Sequence, residues 1–276
     1  MEIILAKSAG FCFGVERAIR AVEEEFKKGK KIYTFGPLIH NPQFIQKLEE
    51  EGILAIEDTS KIKKGDTVII RSHGTSKKVL EEIEKKGAKV ADATCPFVKR
   101  AQLEAKKMED KGFKVLIVGD ENHPEVKGIL GNLKGGIAIK GITDLKKIRK
   151  YEKVGIVSQT TFEREKFNKI VEKCLVLGNQ VEVVDTICNA TKEKQEETSK
   201  IAKNVDLLIV IGGKKSSNTK HLAQIGKKFT KTYHIEEPSE LKVSWFSGAA
   251  KVGVTAGAST PEYIIKAVIN KIESFA

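Results

Sequence analysis

Short runs of Val, Ile and Leu recur along the 276-residue chain, most closed by glycine or a small polar residue. The runs EIILA, KIYTF, DTVIIRS, KVADA, FKVLIVG, GIAI, KVGIVS, QVEVVD, DLLIVIG, TYHI and KVGVTA predict strands. Between them, VERAIRAVEEEFKK, SKKVLEEIEKK, VKRAQLEAKKMEDK and TPEYIIKAVINKI have apolar residues at helical spacing and predict amphipathic helices. Near-continuous apolar strands are buried on both faces. Alternating with helices, they are the pattern of an α/β protein with small parallel sheets.

A repeat is superimposed on this pattern. Cys12, Cys95 and Cys188 are each followed 24 residues later by a glycine that closes an apolar run: Gly36, Gly119 and Gly212. At offset 28 stand His40, His123 and Ser216, and a second run then delivers His73, Thr160 and Ser259. Three such matches argue for an internal triplication, with units at residues 1–93, 94–186 and 187–276. Units of this size are small for independent domains, so a shared interface is expected. Pseudo-threefold symmetry would bring three thiols and six polar groups to one centre.

In open α/β sheets ligands bind beyond the carboxyl ends of the strands. Four of the six prolines follow a polar residue at such places: Asn41-Pro42, Cys95-Pro96, His123-Pro124 and Thr260-Pro261. Proline suits the first helical position, which makes the preceding residue the predicted cap. Ser216-Ser217-Asn218 and Thr160-Thr161 are predicted caps without proline. Helix N-termini are anion sites, so a phosphate or diphosphate is the expected ligand.

Charge and composition narrow the classes. The net charge of +12 comes from lysines scattered over predicted helices and turns, with no basic stripe interleaved with aromatics. That excludes a recognisable nucleic-acid module and leaves a solvated surface or the steering of an acidic partner. No apolar run approaches the ~20 residues that span a bilayer. The start, MEIILAKSAG, is too short in its apolar run for a secretory signal, so a cytoplasmic protein is expected. Four widely spaced cysteines then suggest metal or catalytic thiols more than disulfides.

Cys174 lies with Phe167, Ile170 and Val171 on one apolar helical face and is expected in the core. The other three thiols form an incomplete soft-ligand set. A catalytic zinc with an open position and an iron–sulfur cluster both satisfy it; the lack of a C-x-x-C or H-x-x-H pair and the wide separation of the three thiols favour the cluster, with zinc as the alternative. Zinc would point to a hydrolase of a phosphorylated metabolite, and a cluster to a reductase or a ligand-binding sensor. Glu125 follows His123-Pro124 in a predicted first helical turn, where it either complements the helix dipole or delivers a proton, directly or through Thr160.

The segments AGFCFGVERA, GPLIHNP, IIRSHG, DATCPFV, NHPEV, SQTT, TICNAT, SSNT and AGAST resemble, in order, the signature segments of the LytB (IspH) family, the 4-hydroxy-3-methylbut-2-enyl diphosphate reductases. The resemblance runs from residue 8 to the C-terminal helix. It implies three α/β domains in a trefoil around a central iron–sulfur site. The implied activity is reductive dehydroxylation of (E)-4-hydroxy-3-methylbut-2-enyl diphosphate to isopentenyl and dimethylallyl diphosphates, the last step of the non-mevalonate pathway. By the same resemblance Cys12, Cys95 and Cys188 ligate a 4Fe-4S cluster with one open iron, and Glu125 donates the proton, with His123 and Thr160 beside it. His40, His73, His123, Thr160, Ser216, Ser217, Asn218 and Ser259 hold the substrate. The implied electron donor is an acidic ferredoxin or flavodoxin, and a monomer is expected, with no nucleic-acid or membrane partner.

Overall fold

The computed structural model describes residues 1–29 and 31–275, so Lys30 and Ala276 lie outside the described residues. Among these, twelve strands form three four-stranded sheets in which every pairing is parallel. The first sheet runs Leu54–Ile56, Ile32–Phe35, Thr67–Ile70, Lys89–Asp92. The second runs Ile137–Ile139, Lys114–Val118, Tyr151–Ser158, Gly178–Val183. The third runs Lys231–Ile235, Leu207–Ile211, Lys251–Ala256, Glu2–Leu5.

All three sheets thus share one order, and the register repeats: Ile32 pairs with Thr67, Lys114 with Val154 and Leu207 with Val252. The closing strand of the third sheet comes from the start of the chain. The α/β class with small parallel sheets is as expected from sequence. Leu54–Ile56 lies outside the eleven predicted strands; it is only three residues long and half-exposed, so its apolar run is weak.

The strands are apolar at consecutive positions because both faces are covered. Leu116 and Val118 pack into one cluster with Val154, Ile156, Phe167 and Ile170, while Val115 and Ile117 pack into another with Ala101, Ala105 and Met108. The third sheet alternates likewise, Leu207, Ile209 and Ile211 to one side, Leu208 and Val210 to the other. Each such Val, Leu, Ile, Phe or Met side chain contributes about 1.5–3 kcal/mol by leaving water. Cys174 sits fully buried in the first of these clusters, as its helical spacing predicts.

By its internal contacts the chain divides into two compact units. One comprises Met1–Val15, Ile39–Gln46 and Asn189–Ala276 and contains the third sheet. The other comprises Glu16–Leu38 and Lys47–Cys188 and contains the first and second sheets. No helix of the described residues is long and apolar enough to cross a membrane.

Candidate active site

The three thiols occupy one repeated position, between a closing strand and the helix after it. Cys12 immediately precedes helix Phe13–Phe26, Cys95 caps helix Pro96–Asp110, and Cys188 immediately precedes helix Asn189–Ala202. Each cysteine N–H is held by a loop that carries a second polar residue of the repeat. Cys12 donates to the Ala258 carbonyl at 3.2 Å, Cys95 to Ser72 at 3.0 Å and Cys188 to Thr160 at 3.0 Å. All three are partly exposed, and no disulfide is formed among the described residues. Each thiol thus stands at a helix N-terminus, where the dipole favours the thiolate, the soft donor that an iron–sulfur cluster takes.

Cys174 is chemically distinct. Burial pushes its thiol up to about 11, which makes it a poor ligand and an inert core residue.

In the second sheet, Lys114–Val118 ends at Gly119 and Tyr151–Ser158 runs on into Gln159 and Thr160. The two ends approach so closely that a Cβ on Gly119 would lie 2.8 Å from the Gln159 Cβ. Glycine is therefore required there for space rather than for its dihedral freedom. Gln159 was not singled out by sequence. It is buried, accepts from the Asp120 N–H at 3.3 Å and donates to Thr161 Oγ1 at 2.8 Å, tying the two loops together.

Glu125 stands in the first turn of helix Pro124–Leu130 and is 1% exposed. Its carboxylate accepts from the Thr160 N–H at 2.6 Å and from Thr160 Oγ1 at 2.8 Å. Burial pushes this carboxyl up to about 7, although both Thr160 hydrogen bonds act in the opposite sense. Thr160 is thus a junction: its N–H and hydroxyl meet Glu125, and its carbonyl meets the Cys188 N–H. Its predicted capping role is not observed. The helix that follows is Arg164–Cys174 with Glu163 as its cap, because Thr160 is engaged by Glu125 and the chain needs one more turn.

His123 does cap its helix, with ring Nδ1 accepting from the Glu125 N–H at 3.2 Å. An accepting Nδ1 leaves Nε2 as the proton-bearing nitrogen of the neutral ring, a donor suited to an anion. The His73 ring lies edge-on to His123, centroids 5.3 Å apart. His73 follows Thr67–Ile70, and the next residue, Gly74, adopts a left-handed φ of 70°. A side chain on Gly74 would also strike Thr94 and Gln102 at 2.9 Å.

In the unit of the third sheet, Ser216 caps helix Ser217–Gly226 by accepting from the Thr219 N–H at 3.3 Å. Ser259 donates to the His40 carbonyl at 3.4 Å, and the next residue, Asn41, caps helix Pro42–Glu50 by accepting from the Phe44 N–H at 2.8 Å. Thr260 is not the predicted cap before Pro261. Pro261 itself is the capping residue of Glu262–Glu273, and the Thr260 hydroxyl turns back to the Ile211 carbonyl at 3.1 Å.

Asn218 is the informative member of this set. It is 3% exposed, and among the described residues neither its amide nitrogen nor its amide oxygen has a hydrogen-bond partner. A buried amide left so costs about 1–3 kcal/mol, a cost that a polar ligand repays. Asn218→Leu, of the same branched shape, is therefore expected to leave Tm equal or higher while raising KM by about tenfold or more. A lower Tm with an unchanged KM would show that Asn218 serves the fold alone.

Comparison with known proteins agrees with this geometry. A family model described as LytB protein matches residues 3–273. A 4-hydroxy-3-methylbut-2-enyl diphosphate reductase of Geotalea uraniireducens is 48% identical over 275 residues, covering 99% of this chain and 97% of that one. The Aquifex aeolicus reductase of the same name is 45% identical, covering 99% and 96%. Among solved structures, (E)-4-hydroxy-3-methyl-but-2-enyl diphosphate reductase, described as the terminal enzyme of the non-mevalonate pathway, superposes with a TM-score of 0.73 at 45% identity, covering 99% and 100%. The Plasmodium falciparum E-1-hydroxy-2-methyl-but-2-enyl-4-diphosphate reductase gives 0.94 at 30% identity, covering 98% and 87%. None of these relatives is a zinc hydrolase. With identities above 40% across its full length, the chain belongs to the LytB family of 4-hydroxy-3-methylbut-2-enyl diphosphate reductases.

Proposed function

We propose that this chain is an oxidoreductase that converts (E)-4-hydroxy-3-methylbut-2-enyl diphosphate to isopentenyl and dimethylallyl diphosphates, closing the non-mevalonate route to isoprenoids. The observation that carries the chemistry is the buried Glu125–Thr160 pair, a carboxyl pushed up to about 7 with a hydroxyl in direct contact. A reductive dehydroxylation takes up two electrons and two protons. One proton leaves with the hydroxyl oxygen as water, and the other forms the new C–H bond.

Cys12, Cys95 and Cys188 would hold a 4Fe-4S cluster by three thiolates. That group, when bound, supplies electrons singly and one iron without a cysteine ligand as a Lewis acid. The chain's own residues do the rest. Glu125 holds a proton at its carboxyl near neutral pH and passes it to Thr160 Oγ1, whose own proton turns toward the departing oxygen. The His123 Nε2–H, the Asn218 amide and the hydroxyls of Ser216, Ser217 and Ser259 donate to the diphosphate, together with His40 and His73. The N-terminus of helix Ser217–Gly226 adds its dipole. Glu125 and Thr160 are 1% and 4% exposed, which keeps bulk water from the pair.

The proposal extends to an acidic ferredoxin or flavodoxin as donor, attracted by the net charge of +12, and to a monomer in the cytoplasm. The test is anaerobic incubation with the allylic alcohol diphosphate and a one-electron reductant. Two isomeric C5 diphosphates in the products support the reading. Release of phosphate or diphosphate without reduction would refute it and favour a hydrolase.

A further inference from the structure

Two of the three cysteine-bearing loops are braced by an aspartate three residues upstream. Asp92 accepts from the Thr94 N–H at 2.9 Å before Cys95, and Asp185 accepts from the Ile187 N–H at 3.1 Å before Cys188. The equivalent residue before Cys12 is Ala9, which has no side chain for this task. This loop is also the one that carries a left-handed residue, Gly10 at φ 98°.

Its support comes from helix Asn189–Ala202. Lys194 is 2% exposed, and its ammonium donates to the Ser8 carbonyl and, at 3.0 Å, to the Gly10 carbonyl. One turn further on, Glu197 accepts from the Lys7 N–H at 2.8 Å, the Ser8 N–H at 2.9 Å and the Ser8 hydroxyl at 2.5 Å. A cation thus grips the loop by its carbonyls and a carboxylate grips it by its N–H groups. Burying an ammonium is costly unless its protons are satisfied, and two of the three go to this loop. Burial alone would push the Glu197 carboxyl up, but the Ser8 and Lys7 hydrogen bonds outweigh it and hold it below the ordinary range, so the grip is that of an anion.

We propose that Lys194 and Glu197 are positioning residues for Cys12: by clamping Lys7–Gly10 they fix the thiol at the start of its helix, as Asp92 and Asp185 do for the other two. The proposal rests on the reading of Cys12 as a cluster ligand, but its test does not require the cluster. On the full chain freed of iron by a chelator, alkylation by iodoacetamide is followed at each cysteine by mass spectrometry.

Charge-assisted bonds to the loop are lost in Lys194→Met and weakened in Glu197→Gln. The Cys12 rate is therefore expected to rise about tenfold in Lys194→Met, less in Glu197→Gln, with Cys95 and Cys188 within about twofold of wild type. Cys174 should stay protected, since it reports opening of the core. Lys194→Arg, which keeps the charge, should recover part of the protection. An unchanged Cys12 rate in both variants, or a rise shared by all four thiols, would overturn the proposal. Iron retained per chain after anaerobic purification tests the ligand reading separately. Faster alkylation in Lys194→Met with iron unchanged in Cys12→Ser would keep the clamp and reject Cys12 as a ligand.

Discussion

Replacing Cys12, Cys95 or Cys188 singly by serine is expected to cost more than about nine-tenths of the bound iron after anaerobic purification, and with it the activity. A serine hydroxyl does not ionise near neutral pH, so it offers neither the charge nor the softness of a thiolate. The fold should survive. Each of the three side chains is partly exposed, and surface substitutions of this size change stability by only ~0.5 kcal/mol. Cys174→Ala is the control, because that thiol lies in the apolar cluster with Leu116, Ile156 and Phe167. It should keep full iron at a cost of about 1 kcal/mol in stability. Iron by metal analysis and Tm by calorimetry read the two effects separately. Iron retained at wild-type level in any of the three serine variants would remove that residue from the ligand set.

Glu125→Gln is expected to lower kcat by about 10²–10⁴-fold, with iron content and KM near wild type. Glutamine fills the same space and still bonds Thr160, but it cannot carry the transferable proton. The pH dependence follows from the same group. Burial raises the Glu125 carboxyl from 4.5 in the open chain to about 7 in the folded one, so the folded state binds that proton more tightly. The stability this contributes is complete below pH 4.5 and is lost as pH rises through 7. Wild type should therefore lose roughly 3 kcal/mol over that window relative to Glu125→Gln. The Tm difference between the two should grow in favour of Glu125→Gln from pH 5 to pH 8. Wild-type kcat should fall above pH 7 as the acid form is titrated away. A constant Tm difference across this range would show that the carboxyl is not held protonated by burial.

The strand pattern carried most of the fold, because parallel strands covered on both faces must be apolar at consecutive positions. The cysteine repeat was equally legible, since few residue types can supply a soft ligand or a capping acceptor at a strand end. What escaped was set by distant parts of the chain. Glu2–Leu5 reads as a strand but nothing in it says that it closes a sheet with residues 251–256. Thr160-Thr161 reads as a helix cap, yet Glu125, 35 residues earlier, claims both the N–H and the hydroxyl. Helix Asn189–Ala202 is not among the helices read from sequence, and nothing in its residues says that Lys194 is buried, because the loop it bonds lies 184 residues away at Gly10. Asn218 was legible as a polar residue at a helix start, but the burial of its two amide atoms without a partner among the described residues, the strongest sign of a ligand, arises only in the folded chain.

The thiol-held redox cluster is tested most directly by the visible spectrum of anaerobically purified chain, with iron, acid-labile sulfide and zinc counted on the same sample. A brown protein absorbing broadly near ~400 nm, with iron and sulfide in comparable amounts, is the expected result. A colourless protein containing zinc, prepared without exposure to oxygen, would contradict the reductase.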